Sequence, residues 1–193
     1  MSKTTIKKQI VVISGPSGVG KTTLCNHLIR KEPRLKPCVT ATTRVPRQGE
    51  IDGRDYFFIS KSDFRSGIKN KKFVEYTKLF GNYYGTPIDS LNSIFNEGKY
   101  PLLRVDVKGA GNLKRQGFKG VYIFILPPDI KTLKQRLVKR QGKESRSELN
   151  QRLKRARREM KYYQNYDYQV INDKIPGVVK EIHNIIKKHL YFR

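Results

Sequence analysis

Nothing in the chain restricts its fold more than the stretch Gly15-Pro16-Ser17-Gly18-Val19-Gly20-Lys21-Thr22, which satisfies every fixed position of the phosphate-loop pattern G-x-x-x-x-G-K-S/T. Such a loop needs a strand before it and a helix after it. Gln9-Ile10-Val11-Val12-Ile13 is an apolar, β-branched run of the kind that forms a buried parallel strand, and Thr22 to Arg30 carries Leu24 and Leu28 at helical spacing. The glycines let backbone N–H groups curl around an anion, Lys21 can reach outer phosphates and the Thr22 hydroxyl can ligate magnesium. A helix N-terminus adds unpaired N–H groups and about half a positive charge. With Ser17, Val19 and Thr23 completing the contact surface, the implied ligand is a nucleotide polyphosphate.

At 193 residues, the chain has the length of one domain that buries roughly 70% of its unfolded surface. No segment approaches the ~20 apolar residues of a membrane span. Met1 to Lys8 is polar, without an apolar region of signal-peptide length, so the expectation is a cytoplasmic protein with no membrane partner. Cys25 and Cys38 fit neither a disulfide framework nor a metal cluster, and His27, His183 and His189 lack metal-ligand spacing or a triad partner. The net charge of +25 draws in anions without dictating a fold. Much of it is local, since residues 131–161 hold thirteen Lys or Arg against three Glu.

Leu102-Leu103 with Val105 and Val107, Val121 to Leu126, and Val170-Ile171 read as further buried strands. Helical stripes separate or follow them, at Ile130 to Arg140, at Leu149, Leu153, Ala156 and Met160, and from Pro176 to Leu190. Strands alternating with helices imply a parallel α/β core. Val39 to Thr86 differs, with β-type segments at Asp55 to Ile59 and Phe73 to Tyr76 between Gly and Asn turns. The expected division is a core of 1–38, 88–130 and 164–193, an inserted lobe of 39–87 and a basic lid of 131–163.

The string Thr40-Ala41-Thr42-Thr43-Arg44-Val45-Pro46-Arg47-Gln48-Gly49-Glu50, followed by Gly53 and Tyr56, closely resembles guanylate kinase. The likeness continues through Phe73-Val74-Glu75-Tyr76, Gly81-Asn82-Tyr83-Tyr84-Gly85-Thr86, Asp106-Val107-Lys108-Gly109-Ala110 and Val170-Ile171-Asn172-Asp173, in order and nearly end to end. The resemblance implies a P-loop NTPase-type α/β fold, a parallel sheet flanked by helices, with a small β-rich GMP-binding lobe and a helical lid. It implies reversible, Mg²⁺-dependent transfer of the ATP γ-phosphoryl group to GMP and dGMP, giving ADP and the guanosine diphosphate, in purine nucleotide metabolism. ATP and GMP are the expected partners, with no specific nucleic acid.

By that resemblance Arg44, Arg47, Tyr56 and Tyr84 take the acceptor phosphate, and planar guanidinium forks suit the task. Glu75 and Asp106 face the two donors of the guanine edge, with Thr40 and Thr86 on its remaining edge, and Glu50 orients the arginines. Adenine lacks that donor pattern, and sites built on base hydrogen bonds discriminate by about 10⁴ or more. Arg136, Arg140 and Arg152 match lid arginines that close over the donor, and Asn172 matches a residue near adenine. Phosphoryl transfer asks for positioning and charge neutralisation rather than a general base, so Lys21, Arg140 and Arg152 are the expected catalytic residues. Arg155, Arg157, Arg158 and Lys161 read as solvated helix charges.

Two positions depart from the family. Thr40 stands where a serine is usual. Arg104 stands where an acidic residue near the magnesium is usual, and strand alternation puts it on the same face as Asp106. A cation there repels the metal, so the expectation is retained but impaired activity with weaker apparent Mg²⁺ affinity, Arg104 pairing with Asp106 or with an ATP phosphate. Three other readings compete: a guanylate-kinase-like protein-interaction module, an RNA-binding basic surface, and a kinase for another nucleoside monophosphate.

Overall fold

A computed structural model of the chain describes residues 8–141 and 146–190, with the side chains of 140, 141 and 146–148 left outside the description. In chain order the elements begin with β1 (Ile10–Ser14), α1 (Lys21–Lys31), β2 (Leu35–Pro37), β3 (Ala41–Thr42), β4 (Phe57–Phe58) and α2 (Lys61–Lys69). They continue with β5 (Phe73–Leu79), β6 (Asn82–Pro87), α3 (Ile88–Asn96), β7 (Tyr100–Arg104), α4 (Val107–Arg115) and β8 (Gly120–Leu126). Last come α5 (Ile130–Gln141), α6 (Arg146–Met160), a 3-10 turn at Tyr163–Asn165, β9 (Tyr168–Ile171) and α7 (Ile175–Leu190).

Five strands form one parallel sheet in the order β2-β7-β1-β8-β9. The central strand β1 is buried at all five positions, as its continuous apolar run requires when helices cover both faces. Alternate residues feed opposite layers. Val11, Ile13, Val121, Ile123 and Ile125 pack with Leu24 and Leu28 of α1, Leu133 and Leu137 of α5, Ala156 of α6 and the apolar stripe of α7. Ile10, Val12, Leu103, Tyr122 and Phe124 pack with Leu91 and Ile94 of α3 and Ala110 and Leu113 of α4. Each layer encloses one thiol. Burial pushes Cys25 up to about 11 and Cys38 up to about 12.

A second, four-stranded sheet runs β4-β3-β6-β5, with β3 parallel to β4 and the other pairs antiparallel. Its packing is aromatic: Phe64 of α2 stacks on Phe73 at 4.3 Å and on Tyr83 at 5.2 Å between ring centroids. The β5–β6 register shifts between Phe73 and Glu75, and an irregularity of that kind re-aims the side chains beside it.

Besides the edge strand β2 and the helices α3 and α4, which the sequence reading does not anticipate, three features differ from the sequence expectation. The strand through Leu102 and Leu103 stops at Arg104 instead of running to Val107, because Asp106 caps α4 by accepting from the Gly109 N–H at 2.8 Å. The lobe expected to be β-rich also contains α2, whose cap Ser60 accepts from the Asp63 N–H at 3.0 Å. That serine and the acid three residues on form a start signal of the capping-box type, legible in the sequence. Asp55 to Ile59, read as a β-type segment, yields only the two residues of β4, with the Asp52–Tyr56 bridge before it.

Candidate functional site

β1 ends at Ser14 and the chain turns at once into the loop that starts α1. Two glycines are needed where they stand. Gly15 has φ +140°, and a Cβ there would lie 2.4 Å from the Ile125 carbonyl oxygen of β8; Gly20, the N-cap of α1, has φ +102°, and a Cβ would lie 2.5 Å from Asn172 Nδ2. The loop is therefore pressed against the sheet at Gly15, and against the Asn172 amide at Gly20, so closely that only a hydrogen atom fits. Lys21 Nζ donates to the Gly15 and Pro16 carbonyls at 2.5 and 3.0 Å, which holds an ammonium in the loop. The first turn of α1 carries no acidic side chain to compete with an anion.

Beneath the loop, Asn172 Nδ2 donates to the Val19 carbonyl at 2.7 Å and Arg136 Nη1 donates to the same oxygen at 3.3 Å. Arg136 Nη2 also donates to the Asn172 carbonyl at 3.1 Å. Asn172 is buried, and its Oδ1 makes no hydrogen bond. Both residues thus hold the loop in shape. Neither lines the cleft that opens in front of it.

Across that cleft, Arg44 Nη2 meets Glu50 at 2.8 Å, its Nη1 donates to the Val45 carbonyl at 2.6 Å, and its guanidinium lies 5.4 Å from the Tyr56 ring centroid. Glu50 Oε2 also accepts the Arg47 N–H at 2.8 Å. Partial burial works against ionisation of Glu50, but the Arg47 amide and the Arg44 guanidinium outweigh it and hold the carboxyl below its usual range. The Tyr56 and Tyr84 rings sit edge to face at 6.2 Å.

Deeper in, Glu75 is only 4% exposed, and one of its oxygens accepts the Thr86 hydroxyl at 2.7 Å. Burial pushes its carboxyl up to about 7; the Thr86 hydroxyl opposes the shift and the neighbouring Asp106 adds to it. Thr40 is buried at the same end of the cleft.

A residue read as solvated turns out to be engaged. Arg155 of α6 donates from Nη2 to Asp106 Oδ2 at 3.1 Å and from Nε to Glu159 Oε1 at 2.5 Å. Its guanidinium and that of Arg152 lie 5.5 and 5.3 Å from the ring of Phe80, at the β5–β6 turn. The spacing of Arg155 and Glu159, four apart on α6, was visible in the sequence; the partner 49 residues away was not. Arg104 does not pair with Asp106, whose oxygens accept from the Gly109 N–H and from Arg155. Instead its Nη1 donates to the Thr22 hydroxyl at 3.0 Å.

One cleft of about 710 Å³ is lined by Gly15, Ser17, Gly18, Val19, Gly20, Lys21, Thr22 and Thr23 on one side. Thr40, Arg44, Arg47, Glu50, Tyr56, Glu75 and Tyr84 line the other, with Arg104, Asp106, Arg152 and Arg155 between. Thr86 touches the site through Glu75. The Arg140 side chain lies outside the described residues, although its backbone belongs to α5. His183 faces Glu32 at 3.3 Å and His189 faces the Tyr168 hydroxyl at 2.9 Å, which are packing contacts of α7.

No group of three or more His, Cys, Asp or Glu able to hold a metal occurs among the described residues. Magnesium fits at Thr22 all the same. A hydroxyl oxygen has two lone pairs, so accepting from Arg104 leaves one for a metal whose other ligands are waters and phosphate oxygens. No helix among the described residues is long and apolar enough to cross a membrane.

A sequence model of the family described as guanylate kinase matches residues 7–189. The chain is 44% identical over 177 residues to a guanylate kinase of Clostridium perfringens, covering 92% of this chain and 82% of that one. To the guanylate kinase of Caldanaerobacter subterraneus it is 45% identical over 183 residues, covering 94% and 88%. A crystal structure of guanylate kinase from Anaplasma phagocytophilum superposes with a TM-score of 0.77 at 32% identity, covering 93% of this chain and 84% of that one.

Proposed function

This chain belongs to the guanylate kinase family, and on that footing we propose that it transfers the γ-phosphoryl group of ATP reversibly to GMP and dGMP. The observation that carries the reading is the shared cleft: a phosphate loop and a set of cationic, phenolic and carboxylate side chains open onto one volume. Triphosphate and monophosphate meet there end to end.

In this reading the loop N–H groups and Lys21 bind the donor phosphates, Arg44 and Arg47 hold the acceptor phosphate, and Tyr56 and Tyr84 donate hydroxyls to it. An acceptor phosphate oxygen forms a bond to the γ-phosphorus as the bond from that phosphorus to the β–γ bridging oxygen breaks, leaving the electron pair on ADP. The acceptor is already anionic, so no base is required. Magnesium brought with ATP, held by the Thr22 hydroxyl, would neutralise charge on the phosphates. Glu75 and Asp106 accept from the guanine edge, with Thr40 and Thr86 beside them. Arg140 and Arg152 come from the lid, 131–163, the acceptor residues from the lobe 39–87 except Asp106, and the loop and Asp106 from the core.

Against a purely protein-binding module stands the phosphate loop itself, with the Lys21 ammonium held in it and no acidic side chain in the first turn of α1. The test is an ADP-release assay with GMP, dGMP, AMP and UMP on the native chain and on Lys21→Ala. The native chain phosphorylates the two guanine nucleotides, and Lys21→Ala loses about 10³-fold in kcat. Equal rates with AMP, or an unimpaired Lys21→Ala, would overturn the assignment.

A further inference from the structure

Arg104 is the last residue of β7 and pairs in register with Ile13 of β1, one residue before the strand enters the phosphate loop. Its side chain therefore emerges at the carboxyl end of the sheet, beside the loop. From there it spans two clusters. Nη1 donates to the Thr22 hydroxyl at 3.0 Å, and the guanidinium carbon stands 5.3 Å from the centroid of the Tyr56 ring. Thr22 belongs to the donor side of the cleft and Tyr56 to the acceptor side, so one permanent cation stands where the two meet.

Three observations separate this residue from an ordinary surface charge. Asp106, the nearest acid on the same segment, bonds the Gly109 N–H and Arg155 rather than Arg104, and the cleft acid that does feel the Arg104 charge, Asp55, is engaged by the Ile51 N–H and Arg54. The guanidinium is fixed from both sides by the threonine hydroxyl and the tyrosine face, which lowers the ordering cost of binding an anion. The oxygen it engages is the one that would ligate magnesium, so guanidinium and metal serve the same charge at the same place.

Resting on the kinase reading, we propose that Arg104 is a phosphate-binding catalytic residue that contacts the polyphosphate at the junction of donor and acceptor and supplies part of the neutralisation a metal otherwise gives. Nucleotide binding is then only weakly dependent on magnesium. A guanidinium stays charged at every working pH, so the effect is independent of pH.

The test is ATP affinity measured by titration calorimetry, in millimolar magnesium and in EDTA, on the native chain, Arg104→Met and Arg104→Asp, with a thermal melt for each. A hydrogen bond to a charged group contributes about 10- to 100-fold in affinity. The native chain should lose less than about threefold on metal removal, whereas Arg104→Asp should lose about 30-fold or more and Arg104→Met an intermediate amount. The neutral variant keeps the ranking readable if the acidic one fails to fold. An identical ratio of affinities in native and folded variants, all of them binding ATP, overturns the role of Arg104 and leaves the kinase reading standing. Absence of ATP binding by the native chain in both conditions overturns the kinase reading and this proposal together.

Discussion

The two halves of the cleft are built on opposite plans. On the donor side the ligand-facing atoms come from consecutive residues of one loop, and their positions are set by backbone angles and by contact with the buried centre of the parallel sheet. On the acceptor side they come from residues scattered between Thr40 and Asp106, carried by the thin second sheet, its loops and the start of α4, and aimed by side-chain pairs such as Arg44–Glu50 and Thr86–Glu75. A backbone-built site is indifferent to most side chains but intolerant of an added atom. A site built from side chains is the reverse: it accepts backbone variation and depends on each partner's charge.

This contrast can be tested from either side. The largest effect is expected from Gly15→Ala, since the new methyl meets the Ile125 carbonyl in a backbone region reserved for glycine. It should cost about 3 kcal/mol of stability, a fall of about 6–12 °C in melting temperature, and abolish ATP binding. A fall of less than about 3 °C would mean that the loop is not pressed on the sheet as described.

Next in size is Glu50→Gln, which removes the charge that aims Arg44. The KM for GMP should rise about tenfold with the KM for ATP unchanged within about twofold. If both constants move together, the halves are not separable.

The smallest effect is the pH response of Glu75. Its carboxyl, ordinarily at 4.5, stands at about 7 in the ligand-free protein, while accepting a guanine donor beside the Thr86 hydroxyl favours the ionised form. The KM for GMP should therefore fall about three- to tenfold as pH rises from about 6 to 8, and Glu75→Gln should flatten the profile. The sign for stability is opposite. A raised acid contributes stability below its ordinary value and loses it as pH rises through about 7, so the ligand-free protein should melt lower across that window, and Glu75→Gln should remove that part of the slope. Melting curves in the absence of nucleotide would reveal it.

The donor half was legible in the sequence because its information is local: eight consecutive residues between a β-branched run and a helical stripe leave little freedom. Most of the parallel sheet was legible for the same reason, in the runs that became β1, β7, β8 and β9, whereas the three-residue edge strand β2 offered no such run. What escaped depended on distance or on a short signal. Arg155 reads as a surface charge until the fold brings Asp106 to it from 49 residues away. Val105 and Val107 look like strand residues until Asp106 caps a helix between them. Helix α2 starts at a serine-aspartate pair easily lost among the turn residues around it. The acceptor residues were found through family resemblance, since no local rule would have gathered Arg44, Glu75 and Asp106 into one place.

The placement of the two cysteines has a practical consequence. One lies in each layer of the parallel core, both shielded and far from the thiolate state, and no other cysteine exists in the chain. A thiol reagent will therefore react only when a layer parts, so single-cysteine versions of the protein would time the breathing of each face separately, with no label needed in advance.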